Sequence, residues 1–148
     1  MKIILLSGGS GKRLWPLSNG TRSKQFIKLL PSPGGSRESM VQRVVRQLKE
    51  CGLDGTITVA TSASQRDVII NQLGDGIPVV TEPERRDTFP AIALACSYLA
   101  YEEQCPAEEI VVVMPCHPYK EEGASATVRH MDAADGVDPA GHGYQGLR

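Results

Sequence analysis

A chain of 148 residues, 41% hydrophobic and 22% charged, has the composition of one folded domain and is poorly suited to disorder or to burial in a membrane. Its formal net charge of -1 offers no global attraction for nucleic acid or anionic lipid, so recognition of a phosphate has to be local. Cys51, Cys96, Cys105 and Cys116 form no C-x-x-C pair, and the opening apolar run breaks at Ser7, too early for an export signal or a bilayer span; reduced thiols and a cytoplasmic location are expected.

Residues 2–6 form an apolar run of strand length, and Gly8, Gly9 and Gly11 then break the chain, the pattern of a central strand leaving a sheet. Beyond the turn-forming residues 31–35, Met40, Val41, Val44, Val45 and Leu48 recur at helical spacing up to Gly52, with Ser39 or Glu38 at the helix start. Residues 56–60 read as a strand, 68–73 carry a helical stripe, and 77–81 are again short and β-branched. Pro90 suits the first turn of a helix through Ala91, Ile92, Leu94, Ala95 and Leu99, where its missing N–H costs nothing; residues 110–114 form a fourth apolar run.

This alternation predicts right-handed crossovers and an α/β, Rossmann-like three-layer sandwich with a mainly parallel sheet, incomplete at its carboxyl end. Ligands of such sheets collect beyond the carboxyl ends of the strands, which directs attention to residues 7–13, 82–88 and 115–119. Residues 1–134 are expected to form one nucleotide-binding unit. Residues 135–148 carry four Gly and one Pro with no periodic apolar face, and are expected to be an irregular tail. Reading residues 139–145 one nucleotide later would permit an apolar strand and a turn, so a frameshifted or artificially ended gene is a hypothesis for this tail. Genomic sequence without an open continuation in the shifted frame would remove it.

The stretch Gly8-Gly9-Ser10-Gly11-Lys12-Arg13 can wrap a phosphate chain. Glycines let successive N–H groups turn toward one anion without an intervening Cβ, and Arg13 adds a planar fork of donors. On the glycines alone, a surface turn beside a solvated Lys-Arg pair is an equal alternative. The P-loop pattern fails because Gly11-Lys12 is followed by Arg13, and the dinucleotide pattern fails because positions 12 and 14 hold Lys and Leu.

The run from Gly8 through Trp15-Pro16-Leu17-Ser18, followed by Lys24-Gln25-Phe26, resembles the signature of sugar-1-phosphate nucleotidyltransferases and is most similar to the mannose-1-phosphate guanylyltransferase branch. Glu82-Pro83, Arg86-Asp87-Thr88 and 90–93 resemble the nucleotide-contacting segment of that branch, and residues 113–119 resemble its metal-ligand segment. The resemblance implies that Gly8, Gly9, Ser10, Gly11, Lys12 and Arg13 hold the triphosphate of GTP and that Lys24 offsets phosphate charge during transfer, with Arg13 and Lys24 as the catalytic pair. It further implies nucleotide contacts from Glu82, Pro83, Arg86, Asp87 and Thr88, a sugar 1-phosphate as second substrate, Mg²⁺ as cofactor, and no nucleic-acid or membrane partner; oligomeric state is left open. In the residues' own chemistry, Glu82 could accept from a guanine edge or anchor the following loop, Arg85, Arg86 and Asp87 could be a solvated charge cluster, and Asp87 or Thr88 could cap the helix.

One departure from that family lies at its metal position, where His117 stands in place of an aspartate. Neutral imidazole supplies neither the charge nor the hard oxygen that Mg²⁺ prefers, and Cys116 beside it makes a poor zinc chelate. The other departure is length, since the resemblance places sugar-binding residues and a second carboxylate beyond this chain. A catalytically inactive nucleotide-binding or regulatory fragment, and a transferase for another sugar 1-phosphate, therefore stand as alternatives to GDP-mannose synthesis. The fourth strand is expected to leave an outer edge exposed.

Overall fold

The computed structural model describes residues 1–8, 23–84 and 86–116. Strand β1 (Lys2–Leu6) enters the sheet at once, and the chain next forms a 3-10 turn at Lys24–Phe26. A small ribbon of β2 (Leu30–Pro31) and β3 (Arg37–Glu38) leads into helix α1 (Met40–Glu50), followed by β4 (Ile57–Ser62), α2 (Arg66–Leu73), β5 (Val79–Glu82), α3 (Thr88–Tyr101) and β6 (Val111–Pro115). The main sheet has the order β5-β4-β1-β6 and is parallel throughout, with Ile3 opposite Ile57 and Val112, and Val59 opposite Val79. The α/β architecture is thus the one expected, whereas the β2–β3 ribbon was hidden by its two-residue strands and the turn residues between them.

The period-two alternation of strand side chains divides the core into two layers. Ile3, Leu5, Ile57 and Val59 project to one face and pack with Val41, Val45, Leu48 and Ile69 of α1 and α2. Ile4 and Ala60 project to the other face and meet Ala95 and Leu99 of α3. Small residues at Ala60 and Ala95 let α3 lie close to the sheet, so this layer is thin and intolerant of added volume.

Helix α1 is delimited by local chemistry at both ends. Ser39 starts it with a reciprocal capping box, Gln42 N donating to Ser39 Oγ at 3.3 Å and Ser39 N to Gln42 Oε1 at 3.0 Å. Gly52, at φ +77°, ends it: Gly52 N donates to the Lys49 carbonyl at 2.8 Å and Leu53 N to the Leu48 carbonyl at 3.0 Å, the Schellman pattern that a left-handed glycine permits. Pro90 occupies the first turn of α3, where no intrahelical N–H is required.

Strand β1 runs out to β4 and β5 on one side, and the chain then returns through α3 to β6 on the other side. The sheet therefore reverses its direction of growth between β1 and β6, and a crevice opens beyond their carboxyl ends. Residues Val111, Val112, Val113 and Met114 of β6 are each only half-buried, because β1 is the sole strand paired to β6 among the described residues. No helix among the described residues is long and apolar enough to cross a membrane.

Candidate functional site

Three segments converge where the sheet reverses. Beyond β1, Ser7 is buried and its N–H donates to the Ala60 carbonyl at 2.8 Å, so the chain stays pinned to β4 until it reaches Gly8. Beyond β6, Cys116 N donates to the Leu6 carbonyl at 3.1 Å, which closes the floor on the other side of β1. Beyond β5, Glu82 is the last strand residue and is only 7% exposed; a Cβ placed on Gly8 would lie 3.7 Å from its Oε2 atom. That separation is ordinary van der Waals contact, and Gly8 sits beside a carboxylate rather than in open solvent.

Lys24 opens the 3-10 turn and is half-buried, with Gln25 and Phe26 inside the protein. The turn is tied to the sheet by the Gln25 side chain, whose Nε2 donates to the Ser7 carbonyl at 3.1 Å. Burial pushes the Cys116 thiol up from its ordinary pKa, opposed by a Ser7 hydrogen bond, by its own backbone and by the positive charge of Lys24. Lys24 thus exerts its field at the β1–β6 end, while Glu82 places negative charge on the β5 side of Gly8.

The segment after β5 has a different character. Glu82, Pro83, Glu84, Arg86, Pro90 and Leu94 line an open concavity of about 500 Å³, a size suited to a small organic ligand. Arg86 Nη2 donates to Glu84 Oε2 at 3.1 Å, and both side chains are over 70% exposed, so this pair contributes little to stability. Asp87 caps α3, its Oδ1 accepting from Thr88 N at 2.8 Å. It does so at φ +76° and ψ -174°, a conformation that disfavours a residue with a Cβ.

Of the residues singled out from the sequence, Gly8 lies beside Glu82, the Lys24 turn is tied to Ser7 just before Gly8, Glu82, Pro83 and Arg86 line the concavity after β5, and Asp87 and Thr88 stand at the start of α3. Gly9, Ser10, Gly11, Lys12, Arg13 and His117, together with the tail 135–148, lie outside the described residues. The sequence reading passed over Thr61, Gln65 and Gln72, which hold the Lys24 turn from beneath. Nothing in the sequence marked Gln65, which ends the 3-10 turn Ala63–Gln65 with helical backbone angles just before α2.

Among the described residues no group of three or more His, Cys, Asp or Glu converges, and the hard oxygen donor beside Gly8 is the Glu82 carboxylate.

The protein family described as nucleotidyl transferase matches residues 2–140. Over 124 residues the chain is 32% identical to a putative mannose-1-phosphate guanylyltransferase of Vibrio cholerae, an alignment covering 82% of this chain and 25% of that protein. It is 29% identical over 141 residues to a mannose-1-phosphate guanylyltransferase of Salmonella typhimurium, covering 90% of this chain and 28% of that one. A Thermus thermophilus crystal structure described as a mannose-1-phosphate geranyltransferase superposes with a TM-score of 0.67 at 28% identity, covering 89% of this chain and 36% of that one. A putative glucose-1-phosphate thymidylyltransferase of Bacillus anthracis shares the fold, with a TM-score of 0.63 at 19% identity, covering 91% and 51%. The chain spans about a quarter of the length of the curated relatives it matches. With a family match running from the first residue of β1 to beyond β6, and with a crevice built at the sheet's point of reversal, the chain belongs to the nucleotidyl transferase family.

Proposed function

We propose that this chain furnishes the nucleotide-binding part of a site that transfers a guanylyl group from GTP to mannose 1-phosphate, giving GDP-mannose and pyrophosphate. The observation that carries this reading is the junction at Gly8, which lies beside the Glu82 carboxylate while Gln25 ties the cationic Lys24 turn to the preceding Ser7 carbonyl at 3.1 Å. A triphosphate is repelled by the carboxylate and attracted by the lysine. The nucleoside then belongs on the β5 flank, over the concavity lined by Glu82, Pro83 and Leu94, and the phosphates extend past Gly8 toward Lys24.

In the reaction so oriented, an oxygen of the sugar phosphate attacks the α-phosphorus of GTP, the bond from that phosphorus to its β-bridging oxygen breaks, and pyrophosphate departs with the electron pair. No protein nucleophile is needed, and the chain contributes by aligning reactants and offsetting charge. Arg13 and Lys24 are the residues assigned to that work, with the backbone of residues 8–13 around the phosphates. Use of a divalent cation is general to nucleotidyl transfer, and Mg²⁺ bound here would offset charge on the phosphates. Residues 1–134 are taken as the unit that binds the nucleotide.

The relatives' printed activities support guanine and mannose as base and sugar. Calorimetric titration with GTP, ATP and dTTP, alongside a coupled pyrophosphate-release assay with mannose 1-phosphate and glucose 1-phosphate, tests each part separately. GTP binding without turnover supports the binding role alone; preference for another nucleotide overturns the base assignment, and no nucleotide binding overturns the reading.

A further inference from the structure

The turn that carries Lys24 is held by three glutamine side chains. Gln25 reaches forward to the Ser7 carbonyl at 3.1 Å. Gln65 Nε2 donates to Ser23 Oγ at 2.7 Å, immediately before Lys24. Gln72 Nε2 donates to the Phe26 carbonyl at 2.9 Å, and its own Oε1 accepts from Ser39 Oγ at 2.6 Å. Ser23 and Gln65 are fully buried and Gln25 is 2% exposed. Thr61 Oγ1 lies 3.2 Å from Gln65 Oε1 and 3.4 Å from the Ser7 carbonyl, joining the Gln65 arm to the end of β1.

Gln65 is the unexpected member. It is the last residue of the 3-10 turn Ala63–Gln65 that runs into α2, and its side chain turns to other elements rather than bonding to that helix as a cap. A buried primary amide costs free energy unless its hydrogen bonds are made. The bonds of Gln65 with Ser23 and Thr61 help to offset that cost, and they lead to the Lys24 turn and to the end of β1.

We propose that Gln65 is a positioning residue for the phosphate end of the site, fixing the Lys24 turn against β1 through Ser23. This assignment rests on the nucleotide reading above, but it has its own signature. If Gln65 acts by placing Lys24, its loss weakens phosphate binding only while Lys24 is present. If Gln65 merely supports the fold, its loss weakens binding equally with or without that lysine.

The test uses Gln65→Met, which keeps the volume and removes the amide, Lys24→Met, and the double variant, with GTP and inorganic pyrophosphate as titrants. Gln65→Met should lower affinity about five- to tenfold in the presence of Lys24, and less than about twofold in the Lys24→Met background. Equal losses in the two backgrounds, or no loss in either, would overturn the proposal. Ser23→Ala removes the acceptor from the opposite end and should give the same pattern, which covers the case in which Gln65→Met fails to fold. Amide hydrogen exchange supplies a readout without ligand, because Phe26 N donates to the Ser23 carbonyl at 3.0 Å and Ile27 N to the Lys24 carbonyl at 3.2 Å. Both variants should lose protection at Phe26 and Ile27 while β1 and α1 keep theirs; unchanged protection there sinks the clamp. Were the unaltered chain to bind neither titrant, the nucleotide reading would fall, and exchange at these two amides would still decide for or against the clamp.

Discussion

Replacing Glu38 asks how firmly the β2–β3 ribbon is held to α1. The Glu38 side chain is 9% exposed and accepts from Arg43 Nε at 3.0 Å, Arg46 Nε at 3.1 Å and Arg46 Nη2 at 2.9 Å. Hydrogen bonding from Arg46 is the main cause that holds its carboxyl below the ordinary carboxylate range; burial works the other way and Arg43 adds to the depression. Hydrogen bonds to charged groups contribute about 1.5–3 kcal/mol each when well buried. The Arg43 and Arg46 side chains, however, are 20% and 31% exposed, and each retains another acceptor, the Pro31 carbonyl at 2.6 Å and Glu50 at 2.8 Å. Rehydration therefore recovers part of the loss, and Glu38→Ala should destabilise the chain by about 2 kcal/mol, or roughly 6 °C in Tm for a domain of this size. Glu38→Gln keeps an acceptor oxygen without the charge and should cost about half as much. Because the folded carboxyl titrates below the unfolded one, its contribution is complete above the unfolded pKa and is lost as pH falls through the folded one. Urea denaturation from pH 7 to pH 3 should show a gap between the unaltered chain and Glu38→Gln that is constant above about pH 5.5 and narrows below it. A gap that does not change with pH, or one under about 0.5 kcal/mol at neutrality, would refute this account of the ribbon.

Lys24→Met should weaken pyrophosphate and GTP binding about tenfold at low salt, with a smaller deficit at high salt; titration at two ionic strengths checks this, and a salt-independent deficit counts against a charge role. Asp87→Gly removes the Cβ from a residue at φ +76° and should stabilise the chain by about 1 kcal/mol after allowance for the lost cap, measured by urea denaturation; destabilisation would show that the cap outweighs the strain. Ala95→Leu forces three more carbons between α3 and the sheet at a fully buried position beside Ile4 and Ala60, and should lower stability by about 1–3 kcal/mol; a neutral result would mean that this layer has room.

The sheet was legible because its signals are local and repeated. Each strand is a short apolar run, each helix has a stripe or a stop such as Gly52, and parallel order follows from their alternation. The ribbon at Leu30–Pro31 and Arg37–Glu38 was not legible, because two-residue strands carry no period and their anchor, the Glu38–Arg43–Arg46 cluster, reads in sequence as solvated charge. The crevice divides in the same way. Gly8, Lys24 and Glu82 stand out by residue type at the ends of recognisable elements, so their convergence follows once the strand order is known. Gln65 and Gln72 are uncharged, lie 41 and 48 positions after Lys24, and announce nothing by spacing. Their importance comes from where backbone groups need partners. Ser23, Gln25 and Phe26 form a buried turn outside the sheet ladder, and a buried turn must find donors and acceptors in whatever packs against it. Glutamines entering and ending α2 meet that need without adding charge beside Lys24. A carboxylate in either place could only accept, so the donation from Gln72 to the Phe26 carbonyl would be lost, as would that from Gln65 to Ser23, and its charge would oppose the phosphate that Lys24 is proposed to attract; donor chemistry and electrostatics both favour an amide.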